Sequence, residues 1–247
     1  MLAHRAFILP KWLEYVVITL SLPAGTPIQW VGNHRFHHRN TESSLDPHSP
    51  HQLGFWYAHV GWYLGTSHRA ICLLYALSGP MRMLFDSIWR PRTNQEHNYL
   101  AKDLSGDPFY QWVSQPVPYA LMMWLHLAFV LGIAYSCGGW IGVMIFWCEL
   151  VVIYNVCDAI NSVGHLQGDK PYQQGNESRN NLLLAWLTLG EGWHANHHAF
   201  PRSAKHGLLK GQFDWTWQMI RALRWLRLAR NVYLPREKDI RAAFVAT

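Results

Sequence analysis

The longest uninterrupted feature of the chain is apolar. Between Asp107 and Glu149 there is no Asp, Glu, Lys or Arg. Gly138 and Gly139 divide this run into PYALMMWLHLAFVLGIAYSC (118–137) and WIGVMIFWCELVVIYNVCDAI (140–160). Each half is about 20 residues, the length a helix needs to cross a ~30 Å hydrocarbon layer. The pattern predicts a transmembrane hairpin over 118–160, with the glycine pair at its turn and both outer ends on one side of the bilayer. Other apolar stretches are shorter and interrupted. Residues 8–30 set Trp12, Val16, Val17 and Leu20 among Lys11 and Glu14 and are then broken by Pro23, Gly25 and Pro27. This predicts a helix lying in the interface rather than a span. Residues 71–84 are apolar but cut by Gly79 and Pro80, 86–107 are polar and predict a soluble segment, and 168–181 are a polar loop. After Pro201, FDWTWQMIRALRWLRLA can line Trp217, Ile220 and Leu223 along one helix face beside Arg221, Arg224 and Arg227. That face suits either a membrane surface or packing against the rest of the domain. The fold class expected is all-α: an integral membrane helical protein of one domain, with its polar segments forming a cap.

Charge gives the cap a side. The chain carries a formal +6, and from Arg202 to Arg241 there are ten Lys or Arg against Asp214, Glu237 and Asp239. The positive-inside rule puts that end, and the histidine-rich segments with it, on the cytoplasmic side. The basic residues adjoin membrane-like sequence, which favours anionic lipid headgroups over nucleic acid. Cys72, Cys137, Cys148 and Cys157 form no CxxC and no zinc-finger spacing, so no disulfide framework is expected, in keeping with a reducing compartment.

The candidate chemistry lies in histidine boxes. EGWHANHH places His194, His197 and His198 in the pattern HxxHH, and HRFHH repeats the pattern upstream with His34, His37 and His38. On a helix the second and third histidines of a box lie about 100° apart and can address two different ions. NSVGH adds a third motif. Asp158, Asn161 and His165 can share one face at the end of the second apolar segment. With His4, the ligand candidates number eight imidazoles, more than one four-coordinate metal needs. The surplus points to a dinuclear site, and iron suits open imidazole positions and oxygen activation.

Together HRFHH, DPHSP followed by GFWYAHVGW, NSVGH, SRNN and GEGWHANHHAFP resemble the membrane fatty acid desaturase family, most closely its stearoyl-CoA-desaturase-like and acyl-lipid Δ9 branches. The resemblance covers the chain from residue 1 to about 235. It implies an O₂-dependent desaturase that inserts a cis double bond into a saturated acyl chain. Its substrate is an acyl-lipid or acyl-CoA, its cofactors are two Fe ions, and its electron donor is a separate ferredoxin or cytochrome b5. The ligand roles fall on His4, His34, His37, His38, His165, His194, His197 and His198, with Asn161 acting through a water. Asp46, Glu191 and Asn196 are expected behind the ligands, orienting imidazoles. The remaining histidines, His48, His51, His59, His68, His97, His126 and His206, are expected to be structural. The chain departs from the family pattern twice. The family's first box reads HxxxxH-Arg, and His4-Arg5 supplies only its second half; the first histidine is expected two residues before Met1, after a transmembrane hairpin that is absent from residues 1–247. Asp158 stands where a neutral residue is expected near the acyl channel. Alternative readings are a hydroxylase, a desaturase acting at another carbon, or an inactive truncated remnant.

Overall fold

The computed structural model describes residues 1–173 and 175–244. In chain order its helices are α1 (Lys11–Ser21), α2 (Pro27–Asn40), α3 (Pro50–Leu53), α4 (Trp62–Leu64), α5 (Arg69–Leu77), α6 (Met81–Trp89), α7 (Pro108–Val113), α8 (Pro116–Leu166), α9 (Leu182–Leu187), α10 (His194–Ala199), α11 (Trp215–Trp225) and α12 (Glu237–Ala242). Among the described residues the extended pairings are isolated bridges, such as Ile8 with Arg230 and Asn180 with Trp193. The all-α class follows.

Among the described residues, α8 is the single helix long and apolar enough to cross a membrane. It is not straight. Gly138 (φ −150°, ψ 17°) and Gly139 (φ 57°, ψ −144°) leave helical geometry. The positive φ at Gly139, with that ψ, is a conformation only glycine adopts without steric cost. The chain doubles back there, so that Gly142 packs on the Ala134 carbonyl, and Val130 and Ile133 line one cleft with Ile145 and Phe146. Leu125, Phe129, Trp140, Ile141 and Met144 are all more than half exposed. The limbs thus present an apolar outer surface, not a core. α5 and the segment from Met81 to Arg92 reach spanning length and hydropathy only as a pair, bent by 117°.

The inner face of α8 is anchored by charge. Asp158 does not join the histidines. Its carboxylate accepts from Arg82 (Nη1–Oδ2 2.6 Å, Nη2–Oδ1 3.2 Å) and from the Tyr63 hydroxyl (3.0 Å). Asp86 accepts from the Tyr75 hydroxyl (2.7 Å) and lies 3.7 Å from both Arg82 and Arg90. Both arginines and both aspartates are buried. The charge on Asp158 that looked misplaced beside an acyl channel is therefore matched by Arg82. The start of the stretch expected to be a soluble polar segment is interior, because Asp86 and Arg90 belong to this network.

The cap is built around α2. Thr26 caps it by accepting from the Gln29 N–H (3.4 Å), and Pro27 supplies the fixed φ of its first turn. Arg35 staples it to the N-terminal segment and to the turn at 98–101: it donates to the carbonyls of Ala3 (2.7 Å) and Leu100 (2.7 Å) and pairs with Asp103 (2.5 Å). α11 lays Ile220, Trp217 and Leu223 against Ala6, Leu9 and Ala229. Of the two settings expected for that amphipathic face, the structure has the packed one, which closes the C-terminal segment over the N-terminal one.

Removing one member of a buried ion pair leaves an uncompensated charge, at a cost of about 3–5 kcal/mol. Arg82→Met should accordingly lower thermal stability in detergent sharply. Arg82→Met combined with Asp158→Leu should recover most of the loss. Strict additivity of the two single changes would show that the pair is not coupled.

Candidate metal centre

Four segments deliver the eight imidazoles. His4 comes from the turn before α1, His34, His37 and His38 from the last turns of α2, His165 from the end of α8, and His194, His197 and His198 from α10. The helical spacing splits each box between two groups. In one, the coordinating atoms of His4, His34, His38 and His197 lie within 4.8 Å of one another; in the other, those of His37, His165, His194 and His198 do. In the first group Nε2 of His4 is 2.9 Å from Nε2 of His34, and Nε2 of His197 is 3.0 Å from that of His38 and 3.3 Å from that of His34. In the second, Nε2 of His194 lies 3.0 Å from that of His165 and 3.1 Å from that of His198, which is 3.4 Å from Nε2 of His37. α10 approaches α8 this closely because residue 164 is glycine: a Cβ there would meet the His194 ring at 3.3 Å.

The donor set fits metal ions. Burial, reinforced by the neighbouring imidazoles, holds His34, His37, His38, His194, His197 and His198 well below the ordinary histidine pKa. His4 is lowered to about 4 by burial and nearby positive groups. These rings are neutral at pH 7, the form that binds metals. Their nitrogens converge with too few protons to satisfy one another. With metal–nitrogen bonds of about 2.1 Å, two ligands at right angles stand about 3.0 Å apart, close to the separations seen within each group.

Behind the rings the expected partners are differently distributed. Asp46 accepts from Nδ1 of His37 (2.8 Å) and is itself held by the N–H groups of Glu42 (2.8 Å) and His48 (3.1 Å). Glu191 faces Nδ1 of His206 (3.4 Å) and hydrogen-bonds none of the eight. Asn196 bonds Asn180 (2.8 Å) and donates to the His206 carbonyl (2.5 Å) and to Gln212 (2.6 Å), which fixes α10 rather than a ring. Asn161 sits one turn before His165, partly buried. Among the histidines expected to be structural, His48 packs on the His37 ring (4.2 Å) and His206 on that of His197 (4.8 Å). One partner escaped the sequence analysis. Glu42 accepts from Nδ1 of His165 (2.8 Å), and His51 donates to the His165 carbonyl (2.9 Å). The available signal was an acid four residues after His38 and four before Asp46, in a chain with few acids.

A family model for fatty acid desaturases matches residues 1–233. The chain belongs to the fatty acid desaturase family. Among its curated relatives, a probable chloroplastic lipid desaturase of Arabidopsis thaliana is 38% identical over 97% of the chain and 59% of its own length. An sn-1 stearoyl-lipid 9-desaturase of Anabaena variabilis is 35% identical over 97% of the chain and 78% of its own. An acyl-CoA C20 Δ5-desaturase of Anemone leveillei is 36% identical over 96% of the chain and 67% of its own. The chain thus spans about three-fifths of the Arabidopsis relative. In this desaturase-family chain the matched region contains every histidine of the two groups, from His4 to His198.

The depressed imidazoles make stability depend on pH in a known direction. A histidine whose folded pKa lies below the unfolded value of about 6.5 supports the fold above that pH, and the support is lost as pH falls toward the folded value. Asp46, pushed up to about 6 by burial, and His206, raised against its burial by the Glu191 carboxylate, act in the opposite sense but are two groups against seven imidazoles. The metal-free protein should hold a steady melting temperature above pH 7 and lose it progressively between about pH 6.5 and 4. Thermal unfolding in detergent across that range checks this; a flat profile would contradict it.

Proposed function

We propose that the chain is an O₂-dependent fatty acyl desaturase. It converts –CH₂–CH₂– in a saturated acyl chain to a cis –CH=CH–, with O₂ reduced to two waters by two electrons and two protons from the substrate, two electrons from a separate donor such as ferredoxin or cytochrome b5, and two protons from solvent. The observation that carries this reading is the convergence of eight imidazoles into two groups of four in a member of the desaturase family. The substrate is an acyl-lipid or acyl-CoA, the classes named for the relatives, and position 9 is the bond proposed, on the name of the cyanobacterial relative.

His4, His34, His38 and His197 would hold one iron, and His37, His165, His194 and His198 the other, with Asn161 acting through a water. Bound there, the pair would supply the O₂ activation that removes hydrogen from an unactivated methylene. The chain's own part is orientation. Asp46 and Glu42 fix the Nδ1–H tautomers of His37 and His165, so that both rings turn a bare Nε2 toward the ion. Burial keeps the His37 ring unprotonated.

The hairpin of α8 would anchor the catalyst in the membrane, with the histidines on the cytoplasmic (or stromal) side and Gly138–Gly139 on the other. Its exposed apolar side chains and the absence of charge between Asp107 and Glu149 support this placement.

Expression in membranes with mass-spectrometric analysis of the fatty acids should reveal a new double bond at position 9. Alanine at any one of His34, His38, His194 or His198 should abolish it while membrane insertion persists. Activity retained in two of these variants would remove the site assignment, and a hydroxylated product would replace the reaction. Topology has its own test: a cysteine placed at Gly139, in a background without the native cysteines, should react with an impermeant maleimide from the outer face. Labelling from the cytoplasmic face alone would reverse the hairpin.

A further inference from the structure

The two groups of imidazoles are supported unequally. In the group of His37, His165, His194 and His198, two rings are held from behind by carboxylates: Asp46 on His37 and Glu42 on His165, each at 2.8 Å. In the group of His4, His34, His38 and His197, no carboxylate hydrogen-bonds a ring nitrogen among the described residues. There His34 is stacked flat on Trp30 (4.8 Å, 11°). Each group keeps one buried Nδ1 without a partner, His197 in this one and His194 in the other, so the difference between them lies in the two carboxylates. Glu191, six residues before His197, is turned to His206.

The Glu42 clamp is built rather than incidental. Its carboxylate also accepts from the Ser49 hydroxyl. Its N–H donates to Asp46 (2.8 Å) and its carbonyl accepts from Gln52 (2.9 Å), so the two carboxylates belong to one hydrogen-bonded loop. Its backbone has φ 62°, a left-handed conformation that glycine would adopt freely and glutamate does not. Burial works against the charge on Glu42, yet the hydrogen bonds from His165 and Ser49 keep its carboxyl below the ordinary glutamate range. A carboxylate that accepts the Nδ1 proton of a ligating imidazole fixes its tautomer and ring angle and raises the donor strength of Nε2.

We propose that Glu42 is a positioning residue that, together with Asp46, makes the two metal positions unequal. The position formed by His37, His165, His194 and His198 retains its ion more tightly, and the one formed by His4, His34, His38 and His197 is the labile one. The inference rests on the dinuclear reading of the site. It assigns a difference between the two halves that the histidine boxes, with their near-symmetric HxxHH pattern, do not express.

The test is metal retention, independent of turnover. The full chain in detergent is loaded anaerobically with Fe²⁺ and titrated with a chelator, and bound iron per chain is measured by elemental analysis. The wild type should release iron in two steps with a plateau at one ion. Glu42→Gln should move the second step to about 10–100-fold lower chelator and leave the first unchanged. Glu42→Asp should restore part of the shift. Glu42→Gly, which relaxes the backbone but removes the carboxylate, should behave like Glu42→Gln; wild-type behaviour from it would reduce Glu42 to a turn residue and overturn the proposal. Asp46→Asn gives the same second-step shift by an independent change, should Glu42→Gln fail to fold. A wild-type chain that holds two irons and releases them together overturns this inference alone. A chain that cannot be loaded with two overturns the dinuclear reading as well.

Discussion

The constraint on which the cap depends is the mutual exposure of imidazole lone pairs. Rings whose Nε2 atoms stand about 3 Å apart cannot all be satisfied by one another, because each neutral ring brings a single proton. Charging them would relieve the shortage of protons but would place like charges side by side in a buried pocket. The neighbouring structure is arranged to keep that pocket neutral and in place. Arg35 ties α2 to the segment carrying His4, the Asn196 network locks α10, and Gly164 lets α10 lie close to the end of α8. The arrangement leaves nitrogens unsatisfied, and in the proposed dinuclear site a bound cation would remove the deficit. Metal binding and cap stability would then be one equilibrium.

The long apolar element answers a different problem with a related device. α8 must deliver His165 to the cap while the rest of its length presents apolar side chains outward. Its register is set where Asp158 meets Arg82, because a buried carboxylate with that much hydrogen bonding has only one low-energy partner position. Asp158 lies seven residues, two helical turns, before His165, so the ion pair and the ligand share a face of the same helix. A slip of α8 that kept its apolar surface intact would still separate Asp158 from Arg82. The buried pair buys register, which the apolar packing of Met123 and Leu127 against Met83 does not specify alone.

Much of this was legible in the chain. The charge-free run, its glycine pair and the amphipathic face of α11 follow local rules of period and composition, and so did the eight imidazoles, whose two-way split is a consequence of the 100° step between adjacent helical positions. What stayed hidden depends on contacts between distant positions. Arg82 and Asp158 are 76 residues apart, so Asp158 alone read as an anomaly. Glu42 follows a run of polar residues after HRFHH and reads as a solvated acid; only the fold of the loop at 42–52 turns it onto His165, 123 residues away. Glu191 and Asn196 illustrate the converse. Their nearness in sequence to His194 suggested ring partners, but Glu191, in the turn before α10, faces His206, and Asn196, on α10, faces Asn180 and Gln212.

These misplacements share a cause that bears on how such sites are built. Ligands in HxxHH boxes are fixed by helical periodicity and can be read from spacing alone. The groups that orient them must reach Nδ1, on the far side of each ring, and therefore come from whichever segment happens to pack there. For His37 that segment is the loop just after its own helix, which is why Asp46 was within reach of sequence reasoning. For His165 it is the same loop, arriving from the other side of the cap. One segment, residues 42–52, thus holds two of the imidazoles borne on different helices, and through Glu42 and Asp46 it couples the orientation of α8 to that of α2. A displacement of that segment would disturb both rings at once, and both belong to the same group of four imidazoles.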